Sequence, residues 1–106
     1  MRSAAYETIK GAIRDRKQIL TTYGGFLREM CPHSIGTKNG QEKALFYQFG
    51  GQSSSGAIQP GSSENWRCMF IDELGPVTVR DGDWYTAANH SIPQTCVDWV
   101  DLDTTM

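Results

Sequence analysis

Apolar residues over the first sixteen positions recur at helical spacing. Tyr6, Ile9 and Ile13 align with Ala5 and Ala12 beside them, while Glu7, Lys10, Arg14 and Asp15 fall elsewhere around the turn. The pattern predicts one amphipathic helix over about 3–16, with Ser3 as N-cap and Glu7 early enough to favour the helix dipole. Such a helix is marginal alone in water, so its stripe must lie on the rest of the domain. Gly11 weakens it by roughly 1 kcal/mol relative to Ala, unless the missing side chain permits close packing.

After Lys17 the period changes to that of strands. Gln18–Tyr23 is β-branched and aromatic and ends at the turn signal Gly24-Gly25. Phe26–Ile35 follows, and Pro32, which cannot donate to a ladder, puts this strand at a sheet edge or in a bulge. A bulge also lets Met30 and Ile35, of different parity, both face inward. Lys38-Asn39-Gly40 turns the chain into Glu42–Phe49, whose residues 44–47 are apolar without alternation and predict a strand buried on both faces, at the centre of the core.

Gly50–Ser63 is almost entirely Gly, Ser, Gln and Pro, a long loop that is functional or mobile. Strands resume at Trp66–Ile71 and Val77–Arg80, separated by Gly75-Pro76 and followed by Asp81-Gly82. The tail holds Trp84-Tyr85, an irregular Asn89–Gln94 segment, and Cys96–Leu102, a run with room for one further strand beyond these five, where Asp98 and Asp101, with Asp103 just beyond, suit a solvated edge. One helix and five short strands predict a mainly β, strongly bent antiparallel barrel in a single domain: helix about 3–16, barrel about 18–80, C-terminal extension 81–106.

At 106 residues there is room for one small core. The net charge of −2 gives no general attraction to nucleic acid or anionic membrane, so any anion binding must come from a local cluster of Arg, Lys and His. No apolar run approaches the ~18–20 residues of a membrane span, and Met1–Lys10 lacks a signal-peptide core, which makes a cytoplasmic protein the default expectation. Three cysteines without paired spacing fit reduced thiols there. Cys31 and His33 with Cys68, and with His90 or Cys96, match no common zinc spacing, and no cofactor is expected. Cys31 or Cys68 activated by His33 would need an orienting group and an oxyanion donor that the sequence does not display, so no enzyme is expected.

Four blocks carry a family resemblance: Tyr23, then Arg28-x-Met30-x-Pro32-His33-x-Ile35, then Leu45-Phe46-Tyr47, then Arg67-x-Met69-x-Ile71-Asp72-x-Leu74-x-x-Val77. Their order and spacing over residues 9–80 resemble the WYL domains, with Leu45-Phe46-Tyr47 in place of the Trp-Tyr-Leu run. The resemblance implies a small Sm/SH3-like barrel serving as a ligand-sensing, regulatory module, usually fused to a helix-turn-helix in bacterial transcription regulators. A basic and polar surface there binds negatively charged ligands, including nucleotides or single-stranded nucleic acid.

Arg28 and Arg67 match the family's basic positions, and His33 falls where the family often has Tyr. Phe70 and Glu73 replace two further arginines, and Glu73 disfavours phosphate-rich ligands. The chain has no helix-turn-helix of its own. The expected site is Arg28, His33, Tyr47 and Arg67, holding a small anionic ligand or a short nucleic-acid segment. For Tyr47 and Trp66 the competing role is packing, and for the two arginines it is pairing with Glu29 or Asp72. The alternative function is an assembly subunit, in which the barrel and the tail, with Trp84, Trp99 and Val100, form a homodimer or dock on a regulator.

Overall fold

In the computed structural model residues 3–51, 66–85 and 96–104 are described. Helix α1 runs Ala4–Asp15 and is capped as its sequence dictates: Ser3 Oγ accepts from the Tyr6 N–H at 3.1 Å. The same serine donates from its N–H and its hydroxyl to the Glu42 carboxylate, at 2.9 and 2.6 Å, which pins the helix start to the sheet. Tyr6, Ile9, Ala12 and Ile13 form the buried stripe. Toward the far edge, the Tyr6 hydroxyl donates to Asp101 at 2.7 Å and Lys10 pairs with the same carboxylate at 3.0 Å.

Six strands follow: β1 (Gln18–Tyr23), β2 (Phe26–Lys38), β3 (Gln41–Gly51), β4 (Trp66–Phe70), β5 (Thr78–Arg80) and β6 (Trp99–Asp103). The β1–β2 and β2–β3 hairpins each turn on two residues with positive φ, Gly24-Gly25 and Asn39-Gly40, as primed two-residue turns require. The antiparallel order is β4-β3-β2-β1-β5, with β6 on β2 and a 3-10 turn (Ile71–Glu73) between β4 and β5. Among the described residues this sheet is open, and β4 and β5 lie at the two ends of the path.

The hub is β2, thirteen residues long, which pairs with β1 through its first half, with β6 through Ser34–Thr37 and with β3 nearly throughout. Pro32 therefore lies inside the sheet, in a bulge: Pro32 opposes Phe46, Ser34 opposes Leu45, and His33 is the extra residue between them. The bulge resets parity, so Met30 and Ile35 both join the helix-side core with Ile19, Ala44, Phe46, Met69 and the α1 stripe. Leu45 and Tyr47 pack on the opposite face with Trp66, Cys96 and Val97. Residues 44–47 of β3 are thus buried throughout, as their unbroken apolar run predicts, and Gln48 is buried with them.

The expectation of reduced thiols is corrected: Cys68 and Cys96 form a disulfide, tying β4 to the segment before β6. The sequence count concealed the pair because the two positions are 28 apart, with no local spacing to announce them. The bond also removes the cysteine argument for a cytoplasmic location, since disulfides persist mainly in oxidising compartments. Among the described residues no helix is long and apolar enough to cross a membrane. The solvated-edge expectation for β6 is met only in part, because Asp103 is buried and Asp101 is bound by Tyr6 and Lys10. The Gly/Ser-rich segment contributes Gly50 and Gly51 to β3; its residues 52–63, with Asn89–Gln94 and His90, lie outside the described residues.

Candidate anion site

Alternation along the strands brings three polar side chains to the helix-side face at one end of the sheet. Arg28 stands two residues before Met30 on β2, Gln48 two after Phe46 on β3, and Arg67 directly opposite Phe46 on β4. Arg28 is only 4% exposed. Its Nη1 donates to Gln48 Oε1 at 3.1 Å and its Nη2 to the Tyr23 carbonyl at 3.1 Å. The rings of Tyr23 and Phe26 lie 5.6 Å from the guanidinium carbon. Arg28 Nε is buried without a hydrogen-bond partner among the described residues, and no ion pair there involves this arginine.

A buried cation without a carboxylate is costly, because desolvation of the charge is uncompensated. Burial lowers the Arg28 pKa from its ordinary value, and the neighbouring Arg67 charge lowers it further. Arg67 is half-buried, donates from Nη1 to its neighbour's carbonyl, Trp66 O, at 3.2 Å, and is likewise lowered by burial. The carboxylates that the sequence offered as partners sit elsewhere: Glu29 pairs with Arg80 at 3.0 Å, and Asp72 is exposed on the 3-10 turn. Tyr23 is raised above its usual pKa, chiefly by burial and then by the negative charge of Glu73. That turn is fixed beside β1 by the Gly75 N–H to Thr22 O bond of 2.9 Å and the Thr21 hydroxyl to Gly75 O bond of 3.0 Å.

His33 and Tyr47 are placed on the other face, apart from the two arginines. The His33 ring meets Tyr47 at 6.4 Å and Trp66 at 4.8 Å, both edge-on, and Trp84 at 4.8 Å. Its Nδ1 lies 2.8 Å from Cys31 O. Tyr47 and Trp66 pack edge to face at 5.0 Å, both buried, which is the packing role rather than a stacking platform. The four expected residues therefore divide into an Arg28–Arg67 pair and a buried His33–Tyr47 aromatic cluster.

Sequence reasoning missed Gln48 and Phe26. The signal for Gln48 is its position directly after the Leu45-Phe46-Tyr47 run, where a fully buried amide must have a polar partner. Its Nε2 donates to Gly50 O at 3.0 Å, so its Oε1 is turned to Arg28.

Cys31 is the free, buried thiol. It accepts from the Tyr85 N–H at 3.3 Å, and burial pushes its pKa up to about 11, so it is protonated near neutral pH. Cys68 and Cys96 are consumed in their disulfide, and the described residues contain no cluster of three metal-ligating side chains. Trp84 and Val100 of the tail pack within the chain, while Trp99 is half exposed on β6.

The chemistry this arrangement offers is hydrogen-bond donation to an anion. Of the five N–H donors on Arg28, two have acceptors; the Nε–H and one hydrogen on each Nη remain. Guanidinium N–H groups donate charge-assisted hydrogen bonds to carboxylate or phosphate oxygens. No protein-family model, no curated protein and no solved structure matches this chain, and the likeness to the WYL domains rests on its sequence motifs alone.

Proposed function

We propose that this chain is a non-catalytic, WYL-like sensing module that binds a small anionic ligand through Arg28 and Arg67. The observation that carries the reading is the buried Arg28 guanidinium, which has a second guanidinium for a neighbour and no carboxylate among the described residues to balance it. A folded chain keeps such a charge at a cost, and an anion is the species that relieves it. The strand order, with β5 returning to β1 through a 3-10 turn, supports a small Sm/SH3-like barrel as the scaffold. His33 and Tyr47 serve that scaffold as packing. The net charge of −2 and the acidic Glu73 favour a small ligand over a nucleic-acid strand.

The test is titration of the intact chain with small carboxylates, nucleotides and single-stranded DNA at low and moderate salt. At least one small anion binds, more weakly as salt rises, and Arg28→Met and Arg67→Ala each lose affinity. Absence of binding by every anion, with both substitutions silent, removes the reading.

A further inference from the structure

The two halves of the Cys68–Cys96 disulfide differ in exposure. Cys68 is exposed on β4, at one end of the strand order, whereas Cys96 is 2% exposed. Cys96 and Val97 form a corner packed on Leu45, Tyr47 and Trp66, all of them buried. On both sides of the bond the chain has other anchors. Strand β4 is held on β3 along its whole length, from Lys43↔Phe70 to Tyr47↔Trp66. Beyond the corner, the Asp98 N–H donates to Thr37 O at 2.9 Å, the Asp98 carboxylate accepts from the Asn39 N–H at 3.0 Å, and β6 pairs with β2. Both ladders can therefore outlast the disulfide, and what the bond fastens to β4 is the corner.

We propose that this disulfide is a redox latch: an external dithiol opens it at Cys68, which frees the Cys96–Val97 corner and uncovers Leu45, Tyr47 and Trp66 while the sheet stays folded. A thiolate of the dithiol attacks Cys68 Sγ; the Sγ–Sγ bond breaks, its electron pair leaves on Cys96 Sγ, and that sulfur takes up a proton. The second sulfur of the reagent, as thiolate, then attacks the first in the mixed disulfide. The reagent is thereby oxidised to its own disulfide, and Cys68 leaves as a thiolate that is protonated. The protein gains two electrons and two protons, and the dithiol loses them. Exposure decides which sulfur is attacked, since exchange requires access, and exposed disulfides are the labile ones. Cys31 does not compete for either sulfur: it is buried, and burial keeps its thiol protonated near neutral pH, so the same pair re-forms on oxidation.

The oxidised, intact protein is treated with dithiothreitol near neutral pH at a series of urea concentrations below its unfolding transition. Iodoacetamide quenches the samples for mass mapping, and heteronuclear NMR spectra are recorded with and without a water-soluble paramagnetic agent. Cys68 and Cys96 become alkylated while Cys31 does not, at a rate that changes less than about threefold over the urea series. The reduced spectrum stays dispersed. In it the agent broadens the Leu45 methyl and Trp66 indole signals, which are protected in the oxidised protein. Oxidised glutathione restores the first spectrum and the pairing of Cys68 with Cys96, and Cys31→Ala opens at the same rate as the parent. A rate that climbs with urea as the unfolded fraction does, or a loss of dispersion on reduction, makes the bond a structural staple and overturns the latch. So do Leu45 and Trp66 signals that remain protected after reduction, or a reoxidised protein that pairs Cys31 with either partner.

Discussion

Replacing Arg28 tests whether this buried guanidinium serves the fold or a ligand. Arg28→Met removes the charge and nearly preserves the length of the side chain. The loss is two charge-assisted hydrogen bonds, to Gln48 Oε1 and Tyr23 O, each about 1.5–3 kcal/mol, and ring contacts of about 0.5–2 kcal/mol. The gain is the desolvation penalty of a cation without a carboxylate partner, several kcal/mol. The single variant also strands Gln48 Oε1 in a fully buried place, at about 1–3 kcal/mol. Changing Gln48 to Met as well removes that orphan and costs the Gln48 Nε2–Gly50 O bond, about 0.5–1.5 kcal/mol, so the double variant reports the guanidinium to within that amount.

Urea unfolding in a chloride buffer free of carboxylates and phosphates measures all three proteins. The double variant is expected to equal the parent or exceed it by up to about 4 kcal/mol, with Arg28→Met alone about 1–3 kcal/mol below the double variant. A ligand at tenfold its Kd adds about 1.4 kcal/mol to the parent and nothing to the double variant. A double variant more than about 3 kcal/mol less stable than the parent would make Arg28 a structural cation and refute the reasoning.

Three further outcomes follow from the packing. Gly11→Ala stabilises α1 by about 1 kcal/mol in thermal or urea unfolding, because a Cβ there meets only Arg14 Nη2, at 3.5 Å, and the close-packing exemption does not apply. Opening the Cys68–Cys96 disulfide with Cys68→Ala and Cys96→Ala together costs about 3–4 kcal/mol, from the 28-residue separation it closes, and non-reducing mass mapping identifies the bond in the parent. Since the thiol of Cys31 is raised from 9.0 to about 11, its contribution to stability is complete below pH 9 and is lost as pH rises through 11; a pH series of unfolding shows a fall of about 2–3 kcal/mol that Cys31→Ala abolishes.

Features written in local pattern were legible in the sequence, and those made by long-range pairing were not. Ser3 and the Tyr6-Ile9-Ile13 spacing define α1, and Asn39-Gly40 defines the β2–β3 turn, because capping and positive φ are local requirements. The continuous Ala44–Tyr47 run announces a strand covered on both faces. The site was legible in its arginines, whose even-numbered offsets from core residues put both on one face. His33 was assigned to that group by the family resemblance alone: its odd-numbered offset from Met30 already puts it on the face of Cys31, where its ring meets Trp66 and Tyr47. The pairing of β6 with β2 and the Cys68–Cys96 bond both depend on where the tail returns, which no periodicity encodes.

The most direct measurement follows the Arg28 Nε–H in 1H–15N spectra of the intact protein, assigned by its disappearance in Arg28→Lys, while benzoate is added. The account predicts that this resonance shifts and saturates at the concentration where binding saturates, because it is a buried guanidinium donor without a protein acceptor among the described residues. An Arg28 Nε–H that stays fixed while benzoate binds and moves the Nε–H of other arginines would contradict it.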